Sequence, residues 1–446
     1  MKAIRIFFTS LFIFLLAIAG TQTAFAQEIL TIDDVVRLAL DNNLSLQRLA
    51  LNTNSLKRAA DRSWNSLLPT LNASALISHP TSITGEIQPR QTMSLDGRVQ
   101  DRDVWTPGFS LSAGFTLSAS IFENIKKARA DYEAGLLGYD AARQDLELLA
   151  RNLFYQILLL DANRELSIQN FQSAEARYEQ TLAMTRVGQA PRLDELSARV
   201  DMENMRPLMR NAEMLYENAL VSLKTVMGIP TETEIKLDGD LTVRITSEPV
   251  ENVLLRRTDS LEITRMLASI RSMEAQRNAV RNNAYFPSLR LSWTSTPLYN
   301  LQNSYWNDSG SFSISLGINI DNFLPWSAAR TQIDAFNDNI SAMHIQLSES
   351  IRNQDDRLQH SRRNILRIAE SIETMELNVE LAESTYTQFE DAYRAGAADY
   401  QRLRGARDSL EQARNRLLTE QYNLLISLLE LEKEWNIPFG TIIRGE

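Results

Sequence analysis

The chain has 446 residues, no cysteine and a formal net charge of −10 at pH 7. That charge speaks against a nucleic-acid partner, which would need a basic face. The missing thiols exclude disulfides, a lipid-modified N-terminal cysteine and any thiolate metal site. Residues 1–26 read as a signal peptide. Lys2 and Arg5 make a basic start, and Ile6–Ala19 is apolar apart from Thr9 and Ser10. Ala24-Phe25-Ala26 is a small-residue cleavage site that leaves Gln27 as the expected mature N-terminus. The apolar run is shorter than the ~20 residues a retained membrane helix needs. No later segment is apolar enough for a transmembrane helix, so a mature chain that crosses a membrane must do so as a barrel.

The first half, residues 27–230, opens with Thr31-Ile32-Asp33-Asp34 capping a short helix over 35–40. A polar amphipathic helix over about 43–67 breaks at Leu68-Pro69-Thr70-Leu71. The spacing then predicts a strand over about 70–78, where Leu71, Ala73, Ala75 and Ile77 alternate with Asn72, Ser74 and Ser78, and Leu76 breaks the pattern. A polar loop over about 79–107 leads to the clearest strand, about 108–121. There Phe109, Leu111, Ala113, Phe115, Leu117, Ala119 and Ile121 fall on one face, and Ser110, Ser112, Gly114, Thr116, Ser118 and Ser120 on the other. A proline-free helical stretch of about 122–187 ends at Arg186-Val187-Gly188, and a return helix finishes with Met227-Gly228-Ile229-Pro230.

After a linker over 231–246, the second half, residues 247–446, repeats this order. Ser247-Glu248-Pro249 caps 250–255, and a helix over 259–285 breaks at Phe286-Pro287-Ser288-Leu289. Strands are expected over about 288–296 and 310–320, separated by a polar loop over about 297–309. In the second of these, Phe312, Ile314, Leu316, Ile318 and Ile320 oppose Ser311, Ser313, Ser315, Gly317 and Asn319. The long helix over about 326–395 ends at Arg394-Ala395-Gly396, and its return helix finishes with Trp435-Asn436-Ile437-Pro438. The pattern is an internal duplication of one helix–strand–strand–helix unit.

A helix of about 65 residues is ~100 Å long and points to coiled-coil packing. The seams agree. Leu403, Leu410, Leu417, Leu424 and Leu431 recur every seven residues. Ile333, Phe336, Ile340, Met343 and Leu347 step by three and four, as do Leu146, Ala150, Leu153, Ile157 and Leu160.

Four strands of about membrane-spanning length cannot close a barrel, and an open edge cannot exist in lipid. Several chains must therefore share one barrel. Two would give eight strands with a filled interior, three would give twelve with an aqueous lumen. Ser112, Thr116, Arg290 and Ser313 are then expected to face the lumen, and Phe115 and Leu316 the lipid. Trp105, Phe109, Phe122, Trp293, Tyr305, Trp306, Phe323 and Trp326 lie near strand ends, where aromatic girdles belong.

The duplicated order, the signal peptide, the Pro-x-Leu strand openings and the Arg-x-Gly turns resemble the TolC-like outer-membrane efflux proteins. The resemblance covers essentially the whole mature chain. It implies a mainly α fold with a membrane β-barrel: a trimer with a shared 12-stranded barrel, a long coiled-coil helical tunnel in the periplasm, and a mixed equatorial region holding 231–246 and the C-terminal tail. It also implies docking to a periplasmic adaptor protein and an inner-membrane pump, in the outer membrane of a Gram-negative (diderm) cell. The family closes its periplasmic end with polar and acidic residues after the two helix turns, marked here by Gly188 and Gly396. Asp194 matches an acidic position there, and Tyr393 resembles an aromatic involved in closure. Arg402 stands where relatives often carry an acid, and Asp399 is the nearest acid. Three symmetry copies of Arg402 could pair with Asp194 or Asp399; the alternative is that all are solvated helix-turn charges, with the glycines as left-handed caps.

Enzyme signatures are absent: no phosphate-binding loop, dinucleotide fingerprint, zinc-protease motif or nucleophile elbow occurs. His79, His344 and His360 are not at metal-ligand spacing. No cofactor or metal is expected, and most Asp and Glu sit in helical charge patterns typical of solvated faces. Two functions remain: a passive, porin-like exit duct of a tripartite efflux or type I secretion system, or a structural or adhesive coiled-coil protein of the periplasm or surface. The four amphipathic strands favour the duct.

Overall fold

A computed structural model describes residues 28–78, 106–242, 260–300, 305–307, 310–395 and 397–444. The proposed signal peptide, Trp105, Gly396, the 79–105 part of the first loop and the 250–255 helix lie outside the described residues. The chain is mainly helical and divides into two units: residues 1–49, 139–261 and 352–446 form one, and 50–138 and 262–351 the other.

The first unit begins with β1 (Glu28–Leu30) and α1 (Ile32–Asn42). Thr31 and Asp34 form a reciprocal capping box, with the Thr31 side chain accepting from the Asp34 N–H and the Asp34 carboxylate accepting from the Thr31 N–H. The Thr31 hydroxyl also donates to the Asp34 carboxylate at 2.6 Å; this bond, then the Thr31 N–H, then the nearby Arg37 charge hold the Asp34 carboxyl below its usual range. β1 pairs in parallel with β4 (Ile235–Leu237), so part of the expected linker is a strand. α3 (Ser120–Arg186) and α4 (Arg192–Met227) pack with α1 around Val35, Ala39, Ala150, Phe154, Ile157, Leu223 and Met227. Both ends of the α3–α4 hairpin carry Schellman caps. The Gln189 N–H reaches the Met184 carbonyl at 2.8 Å, the Ile229 N–H reaches the Lys224 carbonyl at 3.1 Å, and Gly188 and Gly228 take positive φ of 77° and 66°.

In the second half of the chain, α6 (Ala328–Arg394) and α7 (Tyr400–Glu434) carry the leucine seam. Leu403, Leu410, Leu424 and Leu431 are buried, while Leu417 is half-buried. The short C-terminal helix α8 (Thr441–Arg444) packs on α7, where Ile442 and Trp435 join Ile365, Ile368, Leu424, Leu428 and Leu431.

The second unit contains α2 (Leu44–Asp61) from Ala50 on, the start of α3, α5 (Leu261–Tyr285) from Glu262 on and the start of α6. One face of α5 is built from small residues: Ala268, Ser272, Ala275 and Ala279 are all buried. Small residues let neighbouring helix backbones approach closely. The expected helix over 43–67 instead stops at Asp61 and continues as a 3-10 turn over Ser63–Leu67, leaving Pro69 just ahead of the strand. Proline cannot continue a helix and biases its predecessor to extended backbone.

The strands are β2 (Thr70–Ser78), β3 (Thr106–Leu117), β5 (Ser288–Ser295), β6 (Leu298–Asn300), β7 (Tyr305–Asn307) and β8 (Gly310–Gly317). All pair antiparallel, β3 lying between β2 and β5, and β5 between β3 and β8. Several boundaries differ from the sequence expectation, among them the start of β3 at Thr106 rather than 108. β3 ends at Leu117 rather than Ile121, because α3 starts at Ser120; Ile121 is buried as a helix residue, and its alternation is accidental. β8 ends at Gly317 rather than 320, and Ile320 opens a 3-10 turn. The expected polar loop over 297–309 contains the β6–β7 pair, which extends the β5–β8 hairpin past Thr296-Pro297. Pro297 has no N–H to give the ladder, so the strand breaks there. Its carbonyl still accepts from the Phe109 N–H at 2.9 Å.

Candidate functional site

The four-stranded sheet β2–β3–β5–β8 sorts its side chains with two exceptions, Leu76 on the polar face and Ser295 on the apolar one. In-register pairing puts Ser112 opposite Asn72 and Thr294, Thr116 opposite Arg290, Arg290 opposite Ser315, and Ser292 opposite Ser313. Residues opposite one another in a ladder share a face, so Ser112, Thr116, Arg290 and Ser313 lie together on a polar face. Ser292 and Ser313 share a 2.7 Å hydroxyl hydrogen bond across it. The other face carries Leu71, Ala113, Phe115, Leu291, Trp293, Phe312, Ile314 and Leu316.

Much of that apolar face is exposed among the described residues. Leu71 is 78% exposed, Leu316 72% and Phe312 66%. A contiguous apolar surface of this kind marks a partner or a lipid contact. The edges are open as well: among the described residues β2 pairs only with β3, and β8 only with β5. Phe122, Phe286, Phe323 and Trp326, at the junctions of strands and helices, are also exposed. No described helix is long and apolar enough to cross a membrane.

The helix turns form the second candidate region. Asp194 is half-buried in the first turn of α4, and its N–H donates to the Pro191 carbonyl at 3.1 Å. Tyr393 is half-buried near the end of α6. Burial pushes its phenol pKa up, the Asp194 carboxylate adds to the rise, and the Arg177 guanidinium opposes it. Groups of α3, α4 and α6 therefore act on one another here. Asp399 is the N-cap of α7 and accepts the Arg402 N–H at 2.9 Å. The Arg402 side chain lies 3.8 Å from the same carboxylate, and both are about two-thirds exposed, 66% and 64%. Within the protomer the Arg402 partner is thus Asp399 rather than Asp194.

Behind these residues lies an ionic cluster that the sequence reading missed. Asp201 on α4 is 2% exposed and is held by the Arg404 guanidinium at 3.0 Å. Arg407 is 5% exposed; its Nη2 donates to Asp408 at 3.1 Å, and its Nε lies 3.3 Å from Glu411 Oε1. For Glu411, burial pushes the carboxyl pKa up, Arg407 pulls it down, and Asp408 pushes it up again. A sequence signal for Arg407 exists. It sits four after Leu403 and three before Leu410, on the leucine seam itself, where a charge is buried by its neighbours.

An amphipathic antiparallel sheet on a mainly helical, coiled-coil chain defines an outer-membrane channel. Residues 35–229 and 256–436 match the outer membrane efflux protein family, and the chain belongs to it. It is an outer-membrane efflux duct, a transport conduit. Solved channels share the fold. The CmeC outer membrane channel of Campylobacter jejuni is 16% identical, with 91% of this chain and 85% of that one covered and a TM-score of 0.78. VceC of Vibrio cholerae is 14% identical over 92% and 96%, with a TM-score of 0.74. MtrE of Neisseria gonorrhoeae, in its open state, is 17% identical over 91% and 89%, with a TM-score of 0.73. No curated protein sequence matches the chain.

Proposed function

We propose that three copies of this chain close one 12-stranded barrel in the outer membrane, and that their helices form a periplasmic duct serving a tripartite efflux or type I secretion system. The observation that carries this is the four-stranded sheet, whose two edges are unpaired among the described residues and whose apolar face is largely exposed. Unpaired N–H and C=O groups at those edges cost several kcal/mol each in hydrocarbon, on the order given for unsatisfied backbone. A second and a third copy satisfy them. The two separate stretches matched by the family support the duplicated reading, with 27–230 and 247–446 as halves and 231–246 as their equatorial link. In this assembly Ser112, Thr116, Arg290 and Ser313 line the lumen, and docking of a periplasmic adaptor and an inner-membrane pump opens the duct. The mass of the detergent-extracted protein tests the assembly: a trimer is expected, and a stable, folded monomer would refute it.

Asp194, Tyr393, Asp399 and Arg402 are proposed to bias the closed state of the periplasmic end, where Gly188 and Gly396 mark the two turns. Each exposed pair contributes only ~0.2–1 kcal/mol, but a trimer repeats it three times. Asp194→Ala should raise single-channel conductance more than Arg402→Ala, because Asp194 lies close enough to act on Tyr393 of a neighbouring helix whereas Arg402 leans on its own helix cap. The difference should grow in dilute salt, where screening is least. Wild-type conductance and salt dependence in both variants would reduce these residues to surface charges.

A further inference from the structure

The strands β2, β3, β5 and β8 contain one charged residue, Arg290. It is exposed, lies on the polar face between Thr116 and Ser315, and makes no ion pair with any described residue. Its neighbours on that face are Ser, Thr, Asn and Gly, none of which can neutralise a guanidinium. Arginine keeps its charge at every working pH. Arg290 is the third residue of β5, counted from the α5 side, so it stands near the helix-side end of the sheet.

We propose that Arg290 is the ion-selecting residue of the barrel. This rests on the trimeric duct proposed above. Three-fold symmetry sets three guanidinium groups at one level of a lumen whose four described strands are otherwise uncharged, and the ring favours anions and acidic solutes over cations. Acidic residues slightly outnumber basic ones in the described helices, so the ring is opposite in sign to their small net charge.

Reversal potentials across planar bilayers in a KCl gradient test the ring, with trimer yield in detergent measured alongside. Arg290→Lys should keep the wild-type value. For three charges about 10 Å from the axis, Arg290→Gln should lower the chloride-to-potassium permeability ratio roughly three- to tenfold in dilute salt. Arg290→Glu should lower it further. Thr116→Glu, which puts a carboxylate directly across the ladder from an intact Arg290, should reproduce the Gln shift and covers the case in which Arg290 variants fail to assemble. Unchanged reversal potentials in assembled Arg290→Gln, Arg290→Glu and Thr116→Glu trimers would overturn the proposal while leaving the duct intact. A wild-type trimer that forms no channels would instead overturn the duct, and the filter with it.

Discussion

Phe115→Arg should abolish assembly of the membrane form, while Ser112→Arg three residues away should assemble and narrow the pore. The two positions lie on opposite faces of β3. An Arg on the lipid face costs ~2–4 kcal/mol at the bilayer midplane and falls towards ~0–1 near the interface. Phe115 shares a row with Leu291 and Ile314, one row further from the helices than Leu117, Leu289 and Leu316. Phe115 is third from the helix-side end of β3, so each copy falls between these limits, and three copies of Phe115→Arg cost about 3–9 kcal/mol, comparable with a whole fold's stability. Leu316→Arg should cost less, because its row is closer to the interface. Leu316 is 72% exposed in the protomer, so its replacement removes little packing, and any loss of assembly measures the lipid contact. The check is trimer yield in outer membranes after carbonate washing. Equal yields for the Phe115 and Ser112 variants would reverse the face assignment.

Glu432→Ala should release the C-terminal segment. Glu432 is fully buried, at 0% exposure, and its two carboxylate oxygens accept the N–H groups of Gly440 and Ile442, each at 2.7 Å. Those donors lie at the start of α8, where a negative charge is favoured. Removing the carboxylate leaves two buried donors without it, at ~1–3 kcal/mol each. A total of about 3 kcal/mol corresponds to roughly a hundredfold larger open population, at 1.4 kcal/mol per tenfold. Limited trypsin digestion at Lys433 reads this opening. Glu432→Gln, which keeps one acceptor, should fall between wild type and Ala. Cleavage rates and melting temperatures equal to wild type in Glu432→Ala would show that the carboxylate does not hold the segment.

Arg407, Asp201 and Glu432 show where residue patterns stopped being informative. Each is a charged residue in a helix, and charged residues in helices are usually solvated. Each is buried because its turn of helix also carries core residues: Leu403 and Leu410 around Arg407, Ala198 and Met202 beside Asp201, Leu428, Leu429 and Leu431 beside Glu432. Burial of a charge depends on what the facing helix supplies, and no local pattern contains that. The same holds for Arg402. Its side chain and N–H both turn to Asp399, three residues back, a contact set by the cap geometry of one helix start.

The sequence by itself determined the long helices, the coiled-coil seams, the Schellman glycine at 188 and the alternation of β3 and β8. These are local: a period of two or of three to four is written into consecutive side chains, and a left-handed turn asks for glycine. Only the tertiary structure decided the register that places Arg290 between Thr116 and Ser315, the break at Pro297 that separates the β5–β8 pair from the β6–β7 pair, and the pairing of β1 with β4. Pairing joins residues far apart in the chain, and many registers satisfy the same alternation. The one realised here is chosen by the helices that bring the strands together.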